Sequence, residues 1–206
     1  MKNMKTGTTT VGIVLKDGLV LAADKRATMG HLIADKNAEK IIPVTDNMLM
    51  TISGMVGDAQ MLVKYLSSEI AIYEIRKKEN IATKSAATLL ANILYGNRFT
   101  IPFYVQLLLG GKDKNGFHLF SLLPDGSISK DDFIATGSGS VFSYGILDSE
   151  YTKNLSIDEG IKLGVKAVNA GMKRDVFSGD GITLYTLTKK GAEVVPEAKI
   201  KKILSK

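Results

Sequence analysis

Any chemistry this chain performs must come from hydroxyls, carboxylates and lysines. Its 206 residues contain no Cys, which removes disulfides, thiolate nucleophiles and Cys-ligated zinc together. The two histidines, His31 and His118, are too few for a multi-His metal site and lie in no zinc-helix motif, so a metal would need a carboxylate set. No phosphate loop and no serine nucleophile elbow is present. Gly137-Ser138-Gly139 begins like a phosphate cradle but lacks the third glycine, and alone it marks a strand-to-helix turn. Gly7-Thr8-Thr9-Thr10-Val11-Gly12 sets three hydroxyls in a row, which composition alone reads as β-branched strand residues. Asp24-Lys25-Arg26 has the character of a solvated turn, and Lys40 after Glu39 that of a surface charge.

The elements that must hold these groups alternate in blocks. TTTVGIVL from Thr8 and LVLAAD from Leu19, joined through Lys16-Asp17-Gly18, predict a β-hairpin. Lys40 to Val44 and Met48 to Ser53 predict a second strand pair, with Pro43 marking an edge or a bulge, and Gly54 ends it. The period then changes. Met61, Leu62, Tyr65, Leu66, Ile70, Ile72 and Ile75 form a broad helical face, and a second helix runs from about Thr83 to Tyr95. Strands return with FYVQLLLGG from Phe103, FHLFSLL and DFIATG, punctuated by Asn115-Gly116 and Pro124-Asp125-Gly126, which reads as an antiparallel meander. One helix follows Gly139 and another spans Asp158 to about Lys173, opened by Ser156 as N-cap with Glu159 three residues on. GITLYTL and AEVV close the chain across Lys190-Gly191, and KIKKILSK is expected to be a solvated tail. This order predicts an α+β fold with two antiparallel sheets, and runs such as VQLLL lack alternation, so each sheet is expected to be covered on both faces. A four-layer α-β-β-α sandwich satisfies that.

Hydrophobic residues make up 45% of the chain and charged residues 23%, the balance of one soluble domain. No apolar run is long enough to span a membrane, and MKNMKTG has no apolar stretch to serve as a signal peptide, so a cytoplasmic protein is expected. The net charge of +6 is spread along the chain, and its one dense cluster, Arg76-Lys77-Lys78, falls at a helix C-terminus where cations complement the dipole. Neither a nucleic-acid nor a membrane partner is therefore expected.

Taken together, several segments closely resemble the archaeal-type 20S proteasome β subunits, threonine proteases of the N-terminal-nucleophile hydrolase family. The matching residues are Gly7 with TTTVGI, LAADKRAT from Leu21 to Thr28, Lys40 in AEKII, Ser53-Gly54, Gly137-Ser138-Gly139, and Arg174-Asp175 followed by Ser178-Gly179-Asp180-Gly181. They span nearly the whole chain in order and at the family's spacing.

The resemblance implies that residues 1–7 are a propeptide cut at Gly7-Thr8, that 8–206 form a single catalytic domain, and that Thr8 is the nucleophile with its own α-amine as base. An α-amine titrates near about 7.7 to 8.0, so part of it is neutral at cellular pH and can take the hydroxyl proton. Lys40 is implied as the cation that favours the attacking form, held by Asp24, with Ser138, Asp175 and Ser178 hydrogen-bonding around the amine. Gly54 is implied as the oxyanion donor and Thr28 as a partner of the substrate backbone. The primary specificity pocket is implied at Ala27, Ala38, Ile42, Ile52, Val56 and Gln60. None of these is charged, which predicts cleavage after large apolar or aromatic residues. No cofactor is implied. The implied partners are α-subunit rings, other β subunits in stacked heptameric rings, an ATP-dependent unfoldase acting indirectly, and unfolded protein substrates. A catalytically silent, unprocessed structural β subunit of the same particle is the alternative, and intact Gly7, Thr8, Asp24 and Lys40 argue against it. The bacterial two-ring relative is generally shorter.

Overall fold

A two-residue connection at Lys16-Asp17 joins β1 (Thr10–Leu15) to β2 (Gly18–Asp24), the hairpin that the sequence predicts. In a computed structural model, which describes residues 7–205, this hairpin forms the middle of one of two five-stranded sheets. The remaining elements, in chain order, are β3 (Ala27–Met29), β4 (Leu32–Asp35), β5 (Ile41–Thr45), β6 (Met48–Gly54), α1 (Val56–Lys77), α2 (Thr83–Asn97), β7 (Val105–Asp113), β8 (Gly116–Leu122), β9 (Ile128–Lys130), β10 (Phe133–Thr136), α3 (Ser140–Glu150), α4 (Ile157–Arg174), β11 (Ile182–Thr188), β12 (Gly191–Val194) and α5 (Glu197–Leu204). One sheet runs β10-β1-β2-β11-β12 and the other β5-β6-β7-β8-β9, antiparallel throughout.

The sheets face each other across a layer that includes Leu19, Leu21, Leu49, Leu108 and Leu119, all fully buried. Each such side chain contributes about 1.5–3 kcal/mol. On the outer faces, α1 and α2 cover β6 and β7 while α3, α4 and α5 cover β1, β2 and β11, each through its own buried cluster. This is the α-β-β-α sandwich expected, and central strands such as β2 are buried along their whole length because both faces are covered. Pro43 lies on the edge strand β5 beside a register shift, and Ser156 and Glu159 form a reciprocal capping box on α4.

Four expectations change. The segment 133–136 does not continue the meander: β9 is its last strand, and β10 crosses to the other sheet, where Thr136 pairs with Thr10. That crossing brings the Gly137-Ser138-Gly139 turn to the start of β1. The C-terminal segment is no solvated tail but the helix α5, whose Ile200 is buried in the α4-side cluster while its lysines face outward. The buried stripe of α1 is narrower than predicted: Leu62, Leu66 and Ile70 are buried, whereas Met61, Tyr65, Ile72 and Ile75 are exposed. Residues 27–35, of which the sequence places only Ala27 and Thr28 in a matched segment, form the small hairpin β3-β4. The proposed propeptide, apart from Gly7, lies outside the described residues.

Candidate active site

Thr8 stands two residues before β1, 5% exposed, with Thr9 fully buried next to it. Its hydroxyl donates to the Gly7 carbonyl oxygen at 2.6 Å, and its backbone N–H donates to Ser138 Oγ at 3.2 Å. Ser138 in turn donates to Asp175 Oδ2 at 2.5 Å, and the same oxygen accepts from Ser178 Oγ at 2.6 Å. Ser178 Oγ and Thr9 Oγ1 are 2.8 Å apart. Hydroxyls from the loop after β10 and the loop after α4 thus converge on one carboxylate, with Thr9 joined to it through Ser178.

A second carboxylate organises the other side. Asp24, the last residue of β2, is fully buried and accepts from Lys40 Nζ at 2.8 Å and Thr9 N–H at 2.9 Å through Oδ1. Through Oδ2 it accepts from Gly179 N–H at 2.9 Å and Arg26 N–H at 3.1 Å. Lys40 is 5% exposed. Burial pushes its ammonium below the usual lysine value, against the pull of the Asp24 carboxylate. Arg26 fastens the neighbouring loop, donating from Nε to Asp180 Oδ2 at 2.7 Å and from Nη1 to the Val176 carbonyl at 3.0 Å.

A cleft of about 330 Å³ opens beside Thr8 and Lys40. Its walls include Ala27, Thr28, Ala38, Ile52, Val56 and Gln60, together with Gly54. Ile42 does not line it, because strand alternation turns Ile42 toward the α1 side, where it packs half-buried on the core, while Ile41 enters the layer between the sheets. Asp35 and Glu39, unanticipated from the sequence, add two exposed carboxylates to the lining.

Gly54 must be glycine. Its φ is +107°, and a Cβ there would lie 2.1 Å from the Tyr104 carbonyl oxygen. Met55 N–H donates to Tyr104 across the ladder to β7, and Ile52 N–H donates to Lys40 on the opposite edge. Antiparallel alternation therefore directs the Gly54 N–H to the same edge as Ile52, beyond the point where β5 has begun, which is the edge lining the cleft. Gly7 is crowded too: a Cβ would fall 2.0 Å from Phe177 Cβ and 2.6 Å from Ser138 Oγ.

The arrangement can deliver a hydroxyl to a carbonyl in a partly closed cleft, with a buried cation nearby, a relay of hydroxyls on the nitrogen of the same residue, and a backbone N–H at the cleft edge. Thr9, Arg26 and Gln106, whose Oε1 accepts the Gly137 N–H at 3.1 Å, belong to this network but carry no local sequence signal. Among the described residues, no cluster of His, Asp and Glu is placed to hold a metal ion, and no helix is long and apolar enough to cross a membrane.

Comparison with known proteins agrees with this geometry. The profile of the family described as Proteasome subunit matches residues 4–187. A proteasome subunit beta of Archaeoglobus profundus is 49% identical over 200 residues, covering 97% of this chain and 93% of that relative. One from Methanococcus maripaludis is 48% identical over 207 residues, covering 100% and 94%. One from Methanothermobacter thermautotrophicus is 46% identical over 202 residues, covering 98% and 96%. The chain therefore belongs to the proteasome subunit family, as a β subunit of the archaeal type with the fold of the N-terminal-nucleophile hydrolases.

Proposed function

We propose that this β subunit is a threonine endopeptidase of the 20S proteasome core, made active by its own cleavage of the Gly7–Thr8 bond. The observation that carries the reading is the setting of Thr8. Its hydroxyl lies against the carbonyl of the bond to be cut, its nitrogen against Ser138, and the Lys40–Asp24 pair lines or abuts the same cleft.

In self-cleavage, Thr8 Oγ bonds to the Gly7 carbonyl carbon and the bond from that carbon to Thr8 N breaks, leaving an ester. The hydroxyl proton passes to the departing nitrogen, beside which the Ser138–Asp175 relay sits. Water then cleaves the ester, releasing residues 1–7 as a propeptide and freeing the Thr8 α-amine. That amine is the base for each later attack of Thr8 Oγ on a substrate carbonyl, and the Lys40 charge favours its neutral form. Asp175 and Ser178 hold Ser138 and the amine in register, and the Gly54 N–H receives the developing oxyanion. Residues 8–206 form the catalytic domain.

The substrate is an unfolded chain laid as an extended strand between the Thr28 and Gly54 segments. Particle assembly supplies the surroundings: stacked heptameric β rings, α-subunit rings, and an ATP-dependent unfoldase that delivers the chain. The exposed Met61, Tyr65 and Ile75 of α1 are apolar surface available for such contacts.

The test is the intact mass of the chain after co-expression with its α partner. A species beginning at Thr8, with Thr8→Ala keeping the full leader, is expected. A full-length chain in assembled particles would make this a silent structural subunit, and loss of the leader from Thr8→Ala at the same bond would overturn the intramolecular step.

A further inference from the structure

We propose that Gln106 is a positioning residue for the Thr8 site, setting the turn that carries Ser138 from the opposite sheet; the inference rests on the reading of Thr8 as nucleophile. The two sheets contribute different parts of the site. Gly54 belongs to β6, while Thr8 leads into β1, Asp24 ends β2 and Ser138 follows β10. Gln106 stands on β7 opposite Ser53, one position from Gly54. From there its Oε1 accepts the Gly137 N–H at 3.1 Å, so one side chain joins the strand paired with that of the oxyanion donor to the turn of the serine.

That turn is seated closely on Thr8. Gly139 N–H donates to the Thr8 carbonyl at 3.2 Å, and a Cβ on Gly137 would lie 2.1 Å from the same oxygen. Movement of the turn along Gln106 therefore changes the distance from Ser138 Oγ to Thr8 N. Gln106 itself does not line the cleft. It borders a separate crevice of about 250 Å³ with Thr136, Ser140 and Tyr144, so it acts through the turn and does not touch substrate.

The bond also contributes little to holding the fold. Gln106 is exposed, and the sheets are already tied by a buried hydroxyl chain, from Thr51 to Thr10 at 3.3 Å and from Thr10 to Thr136 at 2.6 Å. A structural role and a positioning role therefore separate by experiment.

The variants are Gln106→Met, which keeps length but loses the acceptor, and Gln106→Glu, which keeps an acceptor oxygen at the same reach. Each is assembled with the α partner, and leader removal is read by intact mass. Turnover of a leucyl reporter peptide is read as kcat and KM across pH, alongside the melting temperature. For Gln106→Met, kcat is expected to fall ~5-fold with KM unchanged, the scale of one hydrogen bond. The acid limb of its pH profile should move to lower pH, because Ser138 Oγ accepts from the Thr8 nitrogen and so favours the protonated amine. Gln106→Glu should restore the parental profile, and neither variant should change the melting temperature. The inference is overturned if Gln106→Met keeps the parental kcat and acid limb, if both variants lose activity together with melting temperature, or if the loss falls on KM. A parent that keeps its leader and turns over no reporter overturns the nucleophile reading, and this inference with it.

Discussion

Asp24 is a charge with no access to water and four donors in place of it: Lys40 Nζ and the backbone N–H groups of Thr9, Arg26 and Gly179. Three of those donors belong to segments that carry the site, so the carboxylate is a fastening point as well as the partner of Lys40. Removing one member of a buried pair strands the other, which costs about 3–5 kcal/mol in general. Lys40→Ala should fall at the lower end, about 3 kcal/mol by urea unfolding, because three backbone donors remain on Asp24. Adding Asp24→Asn removes the stranded charge and should recover part of that stability. Turnover should stay lost, since the cation that lines the cleft beside Thr8 is gone. Recovery of turnover in the double variant would show that Lys40 serves the fold alone. Nothing in the local sequence of Asp24 or Lys40 announces burial; their types predict surface, and only their register with Gly7-Thr8 in the family pattern singles them out. Thr9, Arg26 and Gln106 were illegible for the same reason, since their partners Ser178, Asp180 and Gly137 lie far along the chain.

Helices differ in where their ends are satisfied. The N-terminus of α4 is served locally by Ser156 and Glu159, a box legible at four-residue range. That of α2 has Ala82 at the cap position with no side-chain bond, and Asp113, at the end of β7, supplies what is missing by accepting the Thr83 N–H at 2.9 Å. Burial alone would raise the Asp113 carboxyl, but the Asn115 and Thr83 N–H groups and His118 outweigh it and hold the carboxyl below its ordinary value. A carboxylate whose pKa is lowered by folding adds stability above its unfolded pKa of about 3.9, and that stability disappears as pH falls through the folded value. Asp113→Ala should therefore cost about 1–2 kcal/mol at neutral pH. The gap to the parent should narrow below about pH 4 in urea melts taken across pH. An equal gap at all pH values would assign the cost to lost packing. The same contrast explains which elements the sequence makes legible. The first hairpin, α4 and the buried central strands carry their signals within a few residues. The α5 helix depends on Ile200 finding the α4-side cluster, and β10 is a strand whose sheet is decided by pairing with β1, so neither could be placed by local pattern.

Across the whole molecule, the cleft combines surfaces from both sides of the sandwich, and its charge is not what the pocket positions alone predict. Ala27, Ala38, Ile52 and Val56 give it apolar walls, yet Asp35 and Glu39 also border it, both exposed, from the β3-β4 hairpin and the segment leading to β5. Lys40 in the same lining is already paired with Asp24, so the charges left over in the lining are both acidic. The walls favour a large apolar side chain, because a charged one would lose its water with no partner deep in the cleft. The mouth then separates the two charged classes. A long basic side chain can bury its stem on the walls and keep its head near Asp35 and Glu39, whereas an acidic one meets like charge. The expected order of kcat/KM for reporter peptides is leucyl or aromatic, then basic, then acidic. Asp35→Asn should leave the apolar reporter unchanged and lower the basic-to-acidic ratio. Raised salt should lower it as well, because these carboxylates are exposed and screened within about 10 Å at 0.1 M. An acidic reporter turned over faster than a basic one, or a ratio indifferent to both Asp35→Asn and salt, would show that charge at the cleft mouth has no part in selection.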